Sequence, residues 1–365
     1  MKLVERLSAI PPYTPIEPFE VLSAKLGRTP ETIIKLNANE NPYGPSPKAR
    51  SALAEMRFPH IYPDPESRAL REELARFTGV PEANLMAGAG ADELIDLILR
   101  VMIEPGDCVI NCPPTFGMYS FDTNINAGRV LDVERKQDFS LDIEEITKIV
   151  KEYQPKIIFL TTPNNPDGSM PEPEVIDRIL DLPLLVVIDE AYIEFCSDGG
   201  VLGQERTRIR QVVQRQNLVV LRTFSKWAGL AGLRVGYGAF PAWMMPTLWK
   251  VKQPYNVNVA ASVAAIASLN DLEYLSDHVE TLKFTREILF DELKTVPYLL
   301  PYPSQANFIL CEVIGRSAFE LTKLLEREAI LIRYYETRRL KNFIRISIGR
   351  PEECKTLIET LARLQ

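Results

Sequence analysis

The sequence predicts an α/β protein in two parts: a large unit with a mostly parallel central sheet flanked by helices, and a smaller α/β unit. Three observations carry this expectation. Apolar runs such as KIIFL, LPLLVVI and LVVL are continuous rather than alternating, as strands buried on both faces require. Between Pro47 and Trp249 they are separated by helical patterns, the order of a parallel sheet with helical crossovers. At 365 residues the chain exceeds the size at which one hydrophobic core stops growing, so a second unit is expected.

Taken in order, residues 1–46 read as a proline-rich arm and part of the smaller unit, with KLNANENPYGPSP as a loop whose composition fits either a plain connector or the rim of a cleft. Residues 47–254 read as the large unit. It opens with helices at Pro47–Arg57 and after YPDP, followed by LMAGAG as a strand and glycine turn into an amphipathic helix. CVINCPPTFGMYS, KIIFLTTPNNPDG, LPLLVVIDEAYIEF and LVVLRTFSK each read as a strand ending in a polar turn. Residues 255–365 read as the smaller unit, in which short strands (NFILCEV, ILIRYY, FIRISI) alternate with helices.

The composition is that of a globular protein, with 46% hydrophobic and 25% charged residues. A net charge of -7 without any basic block argues against nucleic acid and anionic membrane surfaces as partners. The five cysteines are odd in number and mostly sit in apolar runs, which fits reduced thiols in a cytoplasm. His60 and His278 lie near no other ligand type at metal spacing, so no metal is expected. The N-terminus lacks the apolar core of a secretory signal, and no run is long enough to span a bilayer; a cytoplasmic protein is expected.

Lys226 is the residue to which the other candidates refer. A lysine in a turn is ordinarily a solvated charge, but Thr223, Ser225 and Arg234 surround this one in sequence and buried runs flank it. Hydroxyls, an arginine and backbone N–H groups suit a phosphate, and the amine can form an imine with an aldehyde. Gly88, Gly90 and the following helix N-terminus suit an anion. They also begin like a dinucleotide fingerprint, but Glu93 stands where its third glycine belongs. Asp189, directly after a buried strand, reads equally as a helix cap or a functional charge. Phe116 and Tyr119 cap a core or lie on a planar ring; Arg333 and Arg345 face solvent or form an anion clamp. An aldehyde cofactor bearing a phosphate, pyridoxal 5'-phosphate, needs a lysine, a carboxylate for its ring nitrogen and donors for its oxygens, and the strand ends offer all of these.

TPNNP, DEAY, FSK with GLRVGY, and RISIG resemble the fold-type-I (aspartate-aminotransferase-like) aminotransferases. KLNANENPYGPSP, YPDP, GADELI, PPTFGMY and DEAYIEF resemble the histidinol-phosphate aminotransferase family in particular, and the likeness runs over nearly the whole chain. The resemblance implies transamination between glutamate and imidazole-acetol phosphate in histidine biosynthesis. It implies that Lys226 carries the pyridoxal phosphate and moves the proton, that Asp189 pairs with the ring nitrogen, that Tyr192 and Asn165 donate to the ring oxygen, and that Phe116 stacks on the ring. The phosphate would be held by the N–H groups of Ala91 and Asp92, by Thr223, Ser225 and Arg234, and by Tyr62 from the second subunit of a homodimer. Arg345, Arg333, Tyr13 and Asn39 would line the substrate pocket. NNPDG departs from the family's usual NNPTG at Asp167, and Ala91 replaces a common serine. An aromatic amino acid aminotransferase and a threonine-phosphate decarboxylase share much of this machinery. A non-catalytic binding protein on the same fold is a reading of a different class, and a nicotinamide dehydrogenase is disfavoured by Glu93.

Overall fold

The computed structural model describes residues 4–10 and 17–364. After the arm, β1 (Ile34–Leu36) leads into helix Pro47–Ala54, which starts with Ser46 accepting the Ala49 N–H and proline in the first turn. The large sheet follows: β2 (Leu85–Gly88), β3 (Cys108–Asn111), β4 (Arg129–Asp132), β5 (Ile157–Thr161), β6 (Leu185–Asp189), β7 (Leu218–Thr223) and β8 (Gly236–Ala239). Their order is β2-β8-β7-β6-β5-β3-β4, and every pairing is parallel except those of β8 with β2 and β7. The expected α/β, mostly parallel architecture is present.

The central strands are buried along their whole length because both faces are covered. Ile158, Val186, Ile188 and Val220 face one helix layer, which includes Leu70, Leu74, Ile146 and Ile179. Phe159, Val187, Val219 and Leu221 face the other, with Leu94, Ile98 and Leu248. Each such side chain favours folding by about 1.5–3 kcal/mol on burial, so the polar ends of β5, β6 and β7 project from a rigid frame.

The smaller sheet contains β9 (Leu299–Pro301), β10 (Phe308–Val313), β11 (Ile330–Tyr334) and β12 (Phe343–Ser347), in the order β1-β11-β12-β10-β9. β1 runs parallel to β11 and thereby ties the segment after the arm into this sheet. Three strands have no counterpart in the sequence reading. β1 and β9 are too short to show a period, and β4 is an edge strand with exposed or half-buried positions only. The helix Val259–Leu269, expected in the smaller unit, lies against helices Pro47–Ala54 and Arg68–Thr78. Its buried Ala261, Ala264, Ala265 and Ser268 permit that close approach. Among the described residues no helix is long and apolar enough to cross a membrane, and no group of three or more His, Cys, Asp or Glu is arranged to hold a metal ion.

Candidate active site

The carboxyl ends of β5, β6 and β7 converge. In-register pairing sets Thr161 beside Asp189 and Asp189 beside Leu221, and strand alternation sends Asp189 and Thr223 to the same face. Asp189 is buried; its Oδ2 accepts from the Tyr119 hydroxyl at 2.7 Å and its Oδ1 from the Ala191 N–H at 3.1 Å. Burial pushes its carboxyl up to about 6, against the lowering effect of those two donors. No cation is paired with it among the described residues.

Lys226 lies in the turn after β7, held by tight packing. Trp227 is fully buried and donates its indole N–H to the Thr223 carbonyl. Gly229, at φ +67°, sits where a Cβ would fall 2.4 Å from the Gly44 carbonyl carbon, so the turn lies directly on the NPYGP loop. Asn41 donates to the Trp227 carbonyl at 2.9 Å, and the Lys226 amine donates to the Ala38 carbonyl at 3.1 Å. That loop is the rim of the cleft. Burial, reinforced by the charge of Arg345, lowers the Lys226 amine to about 8, opposed by Glu40 and Asp92.

Two cavities meet at this lysine. The smaller, about 160 Å³, is lined by Asp189, Thr223, Ser225, Ala91, Asp92 and Arg234. The larger, about 700 Å³, is lined by Asn39, Arg333, Arg345 and the segment Pro113–Gly117. Phe116, Asn165, Tyr192 and Lys226 belong to both.

The smaller cavity has the donors of an anion site. Gly90, at φ +83°, opens helix Ala91–Met102, and a Cβ there would lie 2.6 Å from Nη2 of Arg234, so the guanidinium rests on bare backbone. Arg234 also contacts the Asp92 carboxylate at 2.6 Å, both groups being half-exposed. The Thr223 hydroxyl donates to Ser225 Oγ at 2.9 Å. Ala91 brings no hydroxyl, so its contribution is its N–H. Glu93 turns back to accept the Ala89 N–H at 2.6 Å and the Asn256 amide at 2.7 Å, so the third glycine position of a dinucleotide fingerprint is held by a hydrogen-bonded carboxylate.

At the opposite wall, Asn39 (φ +54°) accepts from the Ser347 hydroxyl at 2.8 Å and donates to the Tyr192 hydroxyl at 3.2 Å. Asn165 Oδ1 accepts from Arg345 Nη1 at 2.6 Å, while its amide nitrogen is 3.5 Å from the Tyr192 oxygen. Burial raises the Tyr192 hydroxyl to about 12, so it remains a donor. The Asp167 departure is accommodated: its buried carboxylate accepts the Ser169 N–H at 2.8 Å and the Asn164 amide, closing the turn without disturbing Asn165. Arg333 and Arg345 stand opposite each other on β11 and β12 and both reach the larger cavity.

Two residues of the sequence reading stand apart. Tyr13 lies outside the described residues. Tyr62 is 79% exposed and stacks on Tyr255 with ring centroids 4.7 Å apart, away from both cavities of its own chain. Two residues that bear on the site were not singled out, Ser347, which orients Asn39, and Asn37, whose carbonyl accepts from Arg345 at 3.0 Å; Tyr119 was read as a core cap or a ring platform, whereas its hydroxyl holds Asp189. Tyr119 carried a signal in PPTFGMY, one helical turn from Phe116; the other two carried none.

A primary amine lowered in proton affinity, a buried carboxylate without a cation and a phosphate-sized group of donors fit pyridoxal 5'-phosphate. The profile of the aminotransferase class I and II family matches residues 31–361. The chain is 53% identical to the chloroplastic histidinol-phosphate aminotransferase of Nicotiana tabacum, over 97% of this chain and 84% of that protein. It is 47% identical to the histidinol-phosphate aminotransferase of Roseiflexus castenholzii, over 97% and 96% respectively. The crystal structure of histidinol-phosphate aminotransferase from Sinorhizobium meliloti in complex with pyridoxal-5'-phosphate superposes with a TM-score of 0.88 at 27% identity, covering 100% of this chain and 98% of that one.

Proposed function

The chain belongs to the class I and II aminotransferases, and within them to the histidinol-phosphate aminotransferase family; from that premise we propose that it transfers an amino group between glutamate and imidazole-acetol phosphate, with pyridoxal 5'-phosphate as cofactor. The observation that carries this reading is the position of Lys226, at the junction of a cavity with phosphate donors and a cavity with two arginines. When bound, the cofactor supplies an aldehyde for the exchange of amines and a ring that draws electrons from the substrate's α-carbon.

The chain's own groups then have defined tasks. Lys226 would hold the cofactor and, with its amine lowered to about 8, has an appreciable unprotonated fraction near neutral pH with which to take the α-proton and return it. Asp189 would keep a proton on the ring nitrogen: its carboxyl at about 6 is already ionised at neutral pH, and a cation beside it lowers it further. Tyr192 and Asn165 would donate to the ring oxygen, and Phe116 would lie on the ring. The N–H groups of Ala91 and Asp92, with Thr223, Ser225 and Arg234, would hold the phosphate. Arg345 would bind the carboxylate of glutamate, and Arg333 and Asn39, with Tyr13, would border the substrate.

A homodimer is part of the proposal. Phe58, Ile61, Tyr62 and Tyr255 are exposed, the last two stacked on each other, and Tyr62 would reach the phosphate site of a second copy. The division into units near residue 254 is likewise a proposal; helix Leu272–Leu293 bridges them, touching β9 and β10 of the smaller sheet and the short helices Ile193–Phe195 and Val201–Gly203 of the large unit. A cytoplasmic location is supported by five free cysteines, four of them buried.

The test is spectroscopic. Purified protein loaded with cofactor loses its visible absorption on titration with glutamate and regains it with imidazole-acetol phosphate. Lys226→Ala lacks the visible band and turns over at least about a thousandfold more slowly. Recovery of the band with phenylpyruvate alone would overturn the substrate assignment, and full activity of Lys226→Ala would overturn the mechanism.

A further inference from the structure

The connection between β11 and β12 carries Thr337, Arg338, Arg339 and Leu340, all of which line the larger cavity. Its far side is pinned. Leu340 is buried with Phe139, and the Arg339 guanidinium donates to the carbonyls of Arg135 and Lys136 while lying 5.1 Å from the Phe139 ring centre. Arg338, beside these anchors, is exposed and makes no ion pair or hydrogen bond with any described residue. The carboxylates of the same cavity do not compensate it: Asp132 accepts from Asn111 at 2.8 Å, and Glu134 lies 4.0 Å from Arg339. Arg345 gives Nη1 to Asn165 and Nη2 to the Asn37 carbonyl and keeps only its Nε without a partner among the described residues.

Resting on the function proposed above, we infer that Arg338 is a further guanidinium of the substrate cavity, there to receive the phosphate of the ester substrate. A carboxylate has two oxygens and is satisfied by one guanidinium fork, whereas a phosphate monoester carries close to two charges on three oxygens. Two substrates share this cavity in turn. A donor beyond Arg345 and Arg333 therefore favours the phosphate ester over glutamate and sets the balance between the half-reactions.

The experiment measures each half-reaction of the holoenzyme separately in single turnovers, for the wild type, Arg338→Ala and Arg338→Lys. In Arg338→Ala the ratio of kcat/KM for histidinol phosphate to that for glutamate falls about tenfold, chiefly through KM, since the group is exposed and screened. Arg338→Lys recovers part of the loss. Calorimetric titration of the holoenzyme with inorganic phosphate shows a parallel weakening in Arg338→Ala, and the ratio depends less on ionic strength than in wild type. An unchanged ratio, or an equal fall in both half-reactions, overturns the inference while leaving the function standing. A wild type that accepts glutamate but not histidinol phosphate brings down the functional reading and this inference with it.

Discussion

Asp189 and Glu190 are adjacent at the end of β6, point to opposite faces and are both buried, yet they have opposite surroundings. Glu190 shares its side with Glu194 and Arg222. The guanidinium contacts Glu194 at 2.9 Å and approaches Glu190 at 3.8 Å, and Glu190 also accepts from Thr207 at 2.5 Å and the Arg208 N–H at 2.7 Å. Asp189 has two neutral donors and faces a cavity. Burial raises the carboxyl in each case, Asp189 to about 6 and Glu194 to about 7, so burial alone does not tell the sites apart. The difference is the compensating cation: on one face the chain provides it, and on the other no described residue does, which is the feature the proposed cofactor role of Asp189 draws on.

The largest effect expected from this contrast is on the Arg222 side. Arg222→Leu leaves two buried glutamates sharing no positive charge, and the native state should lose about 3–5 kcal/mol, read from urea unfolding at pH 8. Adding Glu194→Leu should return part of that loss. A loss below about 1 kcal/mol in the single variant would show that the arginine is not what holds this cluster.

On the other face, Asp189→Asn should reduce turnover by about 10²–10³-fold, as removal of one preorganised charge typically does, without loss of apoprotein stability. The pH dependence separates the two expectations. The folded-state value of about 6 lies above the roughly 3.9 of an unfolded aspartate. Asp189 therefore contributes stability that is fully present below about pH 4 and is lost as pH rises through about 6. The difference in urea midpoint between wild type and Asp189→Asn apoproteins should follow that window. A difference independent of pH would mean that Asp189 is ionised without penalty, and the contrast with Glu190 would fail.

The sequence made the frame legible where burial imposes composition: β5, β6 and β7 are continuous apolar runs because both of their faces are covered. It made Lys226 and Asp189 legible for the same reason, since a polar group directly after such a run must stand at a strand end. The Arg222 cluster was not legible. Within LVVLRT the arginine looks like a strand terminus, and its partners are fixed only by the parallel register of β6 and β7. β4 was hidden by its exposed edge position, and Arg338 by lying in a loop where one more arginine carries no pattern. The resemblance supplied roles for Tyr192 and Asn165 that their local sequence did not suggest, and chose the anion clamp for Arg345 over a solvent-facing position.

The smallest expected effect is at Tyr119, and it separates positioning from packing. Its ring is stacked on Phe159 at 4.9 Å and stands edge-on to Phe116 at 5.6 Å, contacts that Tyr119→Phe keeps. Only the hydroxyl is lost, and with it a donor to Asp189 Oδ2 that holds this carboxyl down against burial. Without it Asp189 protonates more readily and, in the role proposed for it, would cease to support a protonated ring nitrogen at a higher pH. The acid limb of kcat/KM for glutamate should move upward by about one pH unit, the size of a hydrogen bond to a charged group. Turnover on the alkaline side should change by less than about threefold, because that limb would follow Lys226 in the role proposed for it, and no contact of Lys226 is with Tyr119. If the hydroxyl serves only packing, the unfolding midpoint falls and the acid limb stays where it is, and Asp189 would then be held by burial and the Ala191 N–H alone.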